Sequence, residues 1–145
     1  MGRRDPLTSD MFEVPAPVQG PASLGFGVQV ANMVSACLAA SEFDRYEIAA
    51  RMSRLTGREV SKYMVDGWSA ESRENFNLPF YLVPAFEEAC GPCIHTLTNW
   101  LASVRGGRLY VGRDALSAEL GQLERQREQI SRRAKDLRKR LGDSE

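Results

Sequence analysis

The chain has three cysteines and one histidine in 145 residues. Three thiols are too few for a disulfide framework, so a reducing cytoplasm is the expected compartment. A single histidine, His95, has no second imidazole to work with. No Ser-His-Asp constellation or phosphate-cradling glycine loop accompanies it, so no enzyme is expected. Nor is there an apolar run of about 18 residues, the length a transmembrane helix needs. Met1–Pro17 has no apolar core of signal-peptide length. An excess of either charge is missing too: Lys plus Arg and Asp plus Glu balance at 19 each. A nucleic-acid binder usually carries a basic footprint, so any footprint here must be local.

What is present is helical patterning, most clearly in DRYEIAARMSRLTGREVSKYMVDGW, Asp44–Trp68. Asp44 can cap a helix with Glu47 at its third position, a variant of the capping box. Ile48, Met52 and Leu55 then mark one apolar face, and Gly57 supplies the left-handed residue that ends it. Ser61 starts a second helix, with Val60 before it and Val65 after it as a hydrophobic staple. Met64, Val65 and Trp68 are expected inward. Lys62, Tyr63, Asp66, Gly67, Ser69 and Ala70 are expected outward. The two segments read as a helix-turn-helix, whose second helix would enter the major groove of DNA. Two ordinary helices of an all-α domain would show the same local signals.

The remaining elements follow the same logic. Residues 1–23 hold four of the seven prolines and no helical or strand period, so they are expected to form a mobile arm. Within it Arg3 and Arg4 suit phosphates, and Leu7, Met11 and Phe12 suit a partner groove. Gly27–Ala40 predicts a helix with Val30, Val34, Cys37 and Leu38 inward. Pro79–Ala89 predicts another, with Phe80, Val83, Phe86 and Glu87 on one face, and Pro84 either kinking it or delaying its start. Cys93–Val104 predicts a helix with Ile94, Leu97, Trp100 and Leu101 together, closed by Arg105-Gly106-Gly107. Leu109–Val111 is β-like but too short to make a sheet alone.

The C-terminal segment carries the clearest period. Leu116, Leu120, Leu123, Arg127, Ile130, Ala134, Leu137 and Leu141 step by alternating four and three residues, a seam of about four heptads. Arg127 within it costs stability but can specify register and partner number. Such a helix is expected to pair, most simply as a homodimer. A helix folded back on its own domain is the alternative. Its basic residues (Arg125, Arg127, Arg132, Arg133, Lys135, Arg138, Lys139 and Arg140) outnumber Glu124, Glu128 and Asp136 and are read as a solvated face.

Cys90-Gly-Pro-Cys93 spells the tetrapeptide of thioredoxin-like oxidoreductases. That chemistry needs a thiolate at a helix N-terminus after a strand, whereas the preceding FYLVPAFEEA reads as helix. Zinc through Cys90, Cys93, His95 and Cys37 would be an irregular ligand set. No metal or other cofactor is expected.

Taken together, the helical stretches suggest an all-α chain: a flexible arm at 1–23, a compact helical bundle at 24–112 with the helix-turn-helix at 44–70, and a coiled-coil helix at 113–142. The bundle is similar to the helical domain of phage repressors, except that LTGREV lengthens the first helix or the turn. RYEIAARMSRLTGREVSKYMVDGWSAESRE, LVPAFEEACG, LTNWLAS and LGQLERQREQI resemble small helix-turn-helix-like proteins of Mu-like transposable phages and prophages. The resemblance implies a bacterial cytoplasm and a phage gene-control or DNA-processing setting. The expected function is that of a dimeric transcriptional regulator on double-stranded DNA, without membrane or small-molecule substrate. Ser61, Lys62, Tyr63 and Asp66 would read bases, while Arg54, Arg58 and Arg73 would hold phosphates. Leu116, Leu120, Leu123, Ile130, Leu137 and Leu141 would form the oligomer seam. Two alternatives stay open: a small terminase-like packaging adaptor, which would form a ring, and a protein-interaction scaffold using the same helix-turn-helix face.

Overall fold

Local backbone demands set the helix boundaries. In the computed structural model, residues 15–73, 75–92 and 94–143 are described, and among them every regular element is helical. In chain order these are α1 (Gly27–Ala40), α2 (Arg45–Thr56), α3 (Lys62–Trp68), 3-10 turns at Glu71–Arg73 and Phe80–Leu82, α4 (Val83–Cys90), α5 (Thr96–Val104) and α6 (Arg113–Gly142). They fall into two compact units, Met1–Arg108 and Leu109–Glu145. The fold is therefore an all-α bundle followed in sequence by a long C-terminal helix. None of these helices is long and apolar enough to cross a membrane.

In the first unit the capping residues act as their sequence context predicts. The Asp44 side chain accepts from the Glu47 amide, and Ser61 accepts from the Met64 amide. Each satisfies a helix N–H that would otherwise lack a partner. Gly57 ends α2 at φ 67°, a conformation that glycine adopts without steric cost. The chain then turns back over Ser53, whose hydroxyl receives the Val60 amide at 2.9 Å. Core side chains come from all five helices of this unit: Val34 and Cys37 of α1, Ile48 and Met52 of α2, Val65 and Trp68 of α3, Phe86 and Ala89 of α4, and Leu97 of α5.

Several expectations are corrected. Leu55 is 54% exposed, and Ala49 takes its place inside. At 100° per residue Leu55 falls about 20° to one side of Ile48, while Ala49 and Met52 lie on the other. Gly67 is buried rather than outward. A β-carbon there would come within 2.7 Å of the Phe76 ring, so that ring covers the helix where a side chain would stand. The outward stretch expected to run to Ala70 ends as helix at Trp68. Of the alternatives at Pro84, the late start is the one observed. Phe80–Leu82 forms a 3-10 turn, and Pro84 lies in the first turn of α4, where its missing N–H leaves no bond unmade. Phe80 is 76% exposed, and Leu78 and Leu82 are buried instead. Helix α5 begins at Thr96, not Cys93, and Leu101 is exposed while Val104 is buried. Leu109–Val111 forms no strand.

The described end of the proline-rich segment is tied to the end of α5. The Val18 amide donates to the Val104 carbonyl at 3.0 Å, just where α5 ends. Gly106 and Gly107 close that end as a Schellman motif, with amides reaching Ser103 and Ala102 carbonyls at 3.0 and 2.8 Å. Gly106 has φ 76°, and a β-carbon on it would lie 2.9 Å from Pro17, so both conformation and contact require glycine. Arg3, Arg4, Leu7, Met11, Phe12 and Cys93 lie outside the described residues.

In the second unit α6 is one continuous helix of 30 residues. Leu116, Leu120, Leu123, Ile130, Leu137 and Leu141 are each more than half exposed.

Candidate nucleic-acid interface

The second helix of the pair presents an edge on which one carboxylate holds two cations. Asp66 accepts from Lys62 Nζ at 2.6 Å and from an Arg45 guanidinium nitrogen at 2.7 Å. The same Arg45 nitrogen reaches Ser69 Oγ at 2.9 Å. The Lys62 ammonium, hydrogen-bonded and one turn away, holds the Asp66 carboxyl below its ordinary value, with Arg45 adding to the effect and desolvation opposing it. Lys62 also stands 5.3 Å from the centre of the Tyr46 ring, within cation–π range. These pairs are partly exposed, so water screens them and their contribution to stability is small.

The expected site residues thus fall into distinct arrangements. Lys62 and Asp66 come together. Tyr63 is exposed, and its hydroxyl accepts from Arg73 at 2.8 Å, while the Arg73 guanidinium stacks near the Tyr63 and Phe76 rings. Ser61 uses its hydroxyl on the cap. Arg54 reaches back two turns to Glu47 at 2.9 Å. Arg58 is exposed in the turn between the helices. Arg45 and Tyr46, on the first turn of α2, belong to the same surface and carried no local sequence signal. The partner of Arg45 lies 21 positions ahead, so only the fold brings them together.

Cys90 of the Cys90–Cys93 motif does not sit where a redox thiolate would. Cys90 is the last residue of α4, buried, with burial pushing its thiol up to about 12, Cys37 and Glu87 adding to the rise and Arg51 offsetting only part of it. The Cys37 thiol is raised as well, again chiefly by burial. A reactive thiolate needs a helix N-terminus or a nearby cation. A rise from the ordinary 9.0 to about 12 leaves about a thousandfold less thiolate at a given pH near neutrality. Iodoacetamide at pH 8 is therefore expected to leave Cys90 unmodified in the folded chain and to modify it readily in urea, as site-resolved mass spectrometry would show. Equal rates in both states would overturn the assignment. Among the described residues, no cluster of His, Cys, Asp and Glu is arranged to hold a metal ion.

Glu87 has a role that spacing did not reveal. It is buried at the middle of α4, and its carboxyl accepts from the Leu97 amide at 2.8 Å, the Thr98 amide at 3.0 Å and the Thr98 hydroxyl at 2.6 Å. These groups open α5, whose own N-cap, His95, makes no side-chain capping bond. A side chain of one helix therefore caps the next.

No protein-family model, curated protein or solved structure matches the chain.

Proposed function

We propose that the chain is a self-associating DNA-binding protein that presents α3 to the major groove, in a phage transcriptional setting. The observation that carries this reading is the α2–turn–α3 unit. Its inner residues Val65 and Trp68 are buried, leaving Lys62, Tyr63 and Arg58 on the accessible side. The resemblance to small proteins of Mu-like transposable phages supports the setting. On DNA, Lys62 would exchange Asp66 for a base edge or a phosphate, while Asp66 stays neutralised by Arg45. Arg58 and Arg54 would hold the backbone, and Arg73 would orient Tyr63.

A second reading draws on the charge pairing. A face on which Asp66 matches both Lys62 and Arg45 suits a protein surface as well as a polyanion. Electrophoretic mobility shift on fragments of the encoding genome at moderate salt separates the two. A discrete shift on one intergenic fragment is expected, weakened roughly tenfold or more by Lys62→Ala and by Arg58→Ala. Asp66→Asn, which frees both cations, is expected to tighten binding. Absence of any shift, with helical content intact, would overturn DNA binding and leave a protein-interaction scaffold. Weak, uniform, salt-sensitive binding by a ring-shaped oligomer would point to a packaging adaptor instead.

A further inference from the structure

The charges that flank the α6 seam are sorted by sign along its length. With Leu116, Leu123, Ile130 and Leu137 at d positions and Leu120, Arg127, Ala134 and Leu141 at a, the flanking e and g positions carry Glu119 and Glu124 in the first half of the helix. Arg133, Arg138 and Arg140 occupy them in the second half. The ion pair between Arg132 and Glu128, at 2.7 Å, uses f and b positions on the outer side.

In a parallel dimer each g residue faces the e residue five positions on in its partner. Glu119 would then face the partner's Glu124, and Arg133 the partner's Arg138, so both charged contacts repel. Arg127 would also meet the partner's Arg127 in a single layer. Reversing one helix removes the two flanking conflicts and takes the two Arg127 side chains out of a single layer. An antiparallel register places Leu116 against the partner's Leu141, Leu120 against its Leu137, Leu123 against its Ala134, and Arg127 against its Ile130. Every seam residue finds a counterpart, and the dyad falls at the middle of the 30-residue helix. Glu119 then lies beside the partner's Arg140, and the two Arg127 side chains are offset by about 4.5 Å along the axis.

We propose that α6 pairs with α6 of a second copy in the antiparallel sense. This rests on the self-association proposed above. The chain enters each helix at Arg113, so the two entry points stand about 45 Å apart.

Sedimentation equilibrium on the full chain, with disulfide trapping of Leu116→Cys and Leu141→Cys variants in a glutathione buffer, tests the orientation. A mass of two chains is expected, with a disulfide joining positions 116 and 141, located by peptide mass spectrometry, only when the two variants are mixed. Residues 116 and 141 of one helix lie about 37 Å apart, beyond disulfide reach, so neither variant should link to itself. Glu119→Lys should weaken the dimer about tenfold, and Glu119→Lys with Arg140→Glu should restore it. Self-linking of Leu116→Cys, or a tighter Glu119→Lys dimer, would establish the parallel form and overturn the orientation while leaving self-association standing. A monomer at all concentrations would overturn both, and any mass other than two chains would overturn the antiparallel pair.

Discussion

Glu87→Ala is expected to destabilise the first unit by about 2–4 kcal/mol, the range for leaving one buried and two half-buried donors without their partner. The substitution removes the carboxyl that accepts from the Leu97 and Thr98 amides and the Thr98 hydroxyl. The loss is not recovered by water, because Glu87 is only 5% exposed. Nor does His95 offer a capping side chain in its place. Glu87→Gln keeps one oxygen for the two amides and lets Thr98 accept from the new amide group, so about 1 kcal/mol is expected. Thr98→Val removes one bond and should fall between the two. Both tryptophans, Trp68 and Trp100, belong to this unit, so urea unfolding followed by tryptophan fluorescence reads it without interference from α6. A Glu87→Ala midpoint equal to that of Glu87→Gln would mean that α5 does not depend on this cap.

That contrast also marks what a sequence shows and what only a fold shows. The Asp44, Gly57 and Ser61 signals were legible because each acts within about one helical turn of itself: a side chain to an amide three residues on, or a glycine at its own φ. Glu87 acts across the Gly91-Pro92 turn on residues ten and eleven positions ahead. Periodicity alone therefore placed it among apolar neighbours, with no account of why a carboxyl would be there. Arg45 is hidden for the same reason, since its partner stands on another helix. Leu55 was misplaced by a different cause. Its spacing fits the apolar face, but the turn folds back over Ser53, so the core lies toward Ala49. Gly67 reads as an exposed small residue until the Phe76 ring is seen lying over it. On the candidate interface the sequence indicated which side chains point outward. The pairing of both Lys62 and Arg45 with Asp66 required the distances.

Ile130→Asp is expected to weaken self-association strongly, raising the dimer dissociation constant about a hundredfold. Ile130 is 68% exposed in the single chain, so the first unit should not register the change. Burying an isoleucine side chain is worth about 1.5–3 kcal/mol, and a dimer loses two of them; in the antiparallel register each new carboxylate faces the partner's Arg127, and such half-exposed pairs return only about 0–1 kcal/mol each. Each 1.4 kcal/mol is a factor of ten in affinity, so the net loss is about a hundredfold. The control is Gln129→Asp, one residue away with the same new charge but at a c position on the outer side. Its mass by sedimentation should stay at two chains. Helical content should fall together with mass in Ile130→Asp, because an isolated helix keeps its turns chiefly by packing its apolar stripe, while the fluorescence transition of the first unit stays in place. If Ile130→Asp sediments as the parent does, the exposed leucines are not the contact, and neither orientation of α6 can be what joins two copies. If both Ile130→Asp and Gln129→Asp dissociate, added negative charge rather than lost apolar contact is responsible, and the heptad assignment of the seam fails with it.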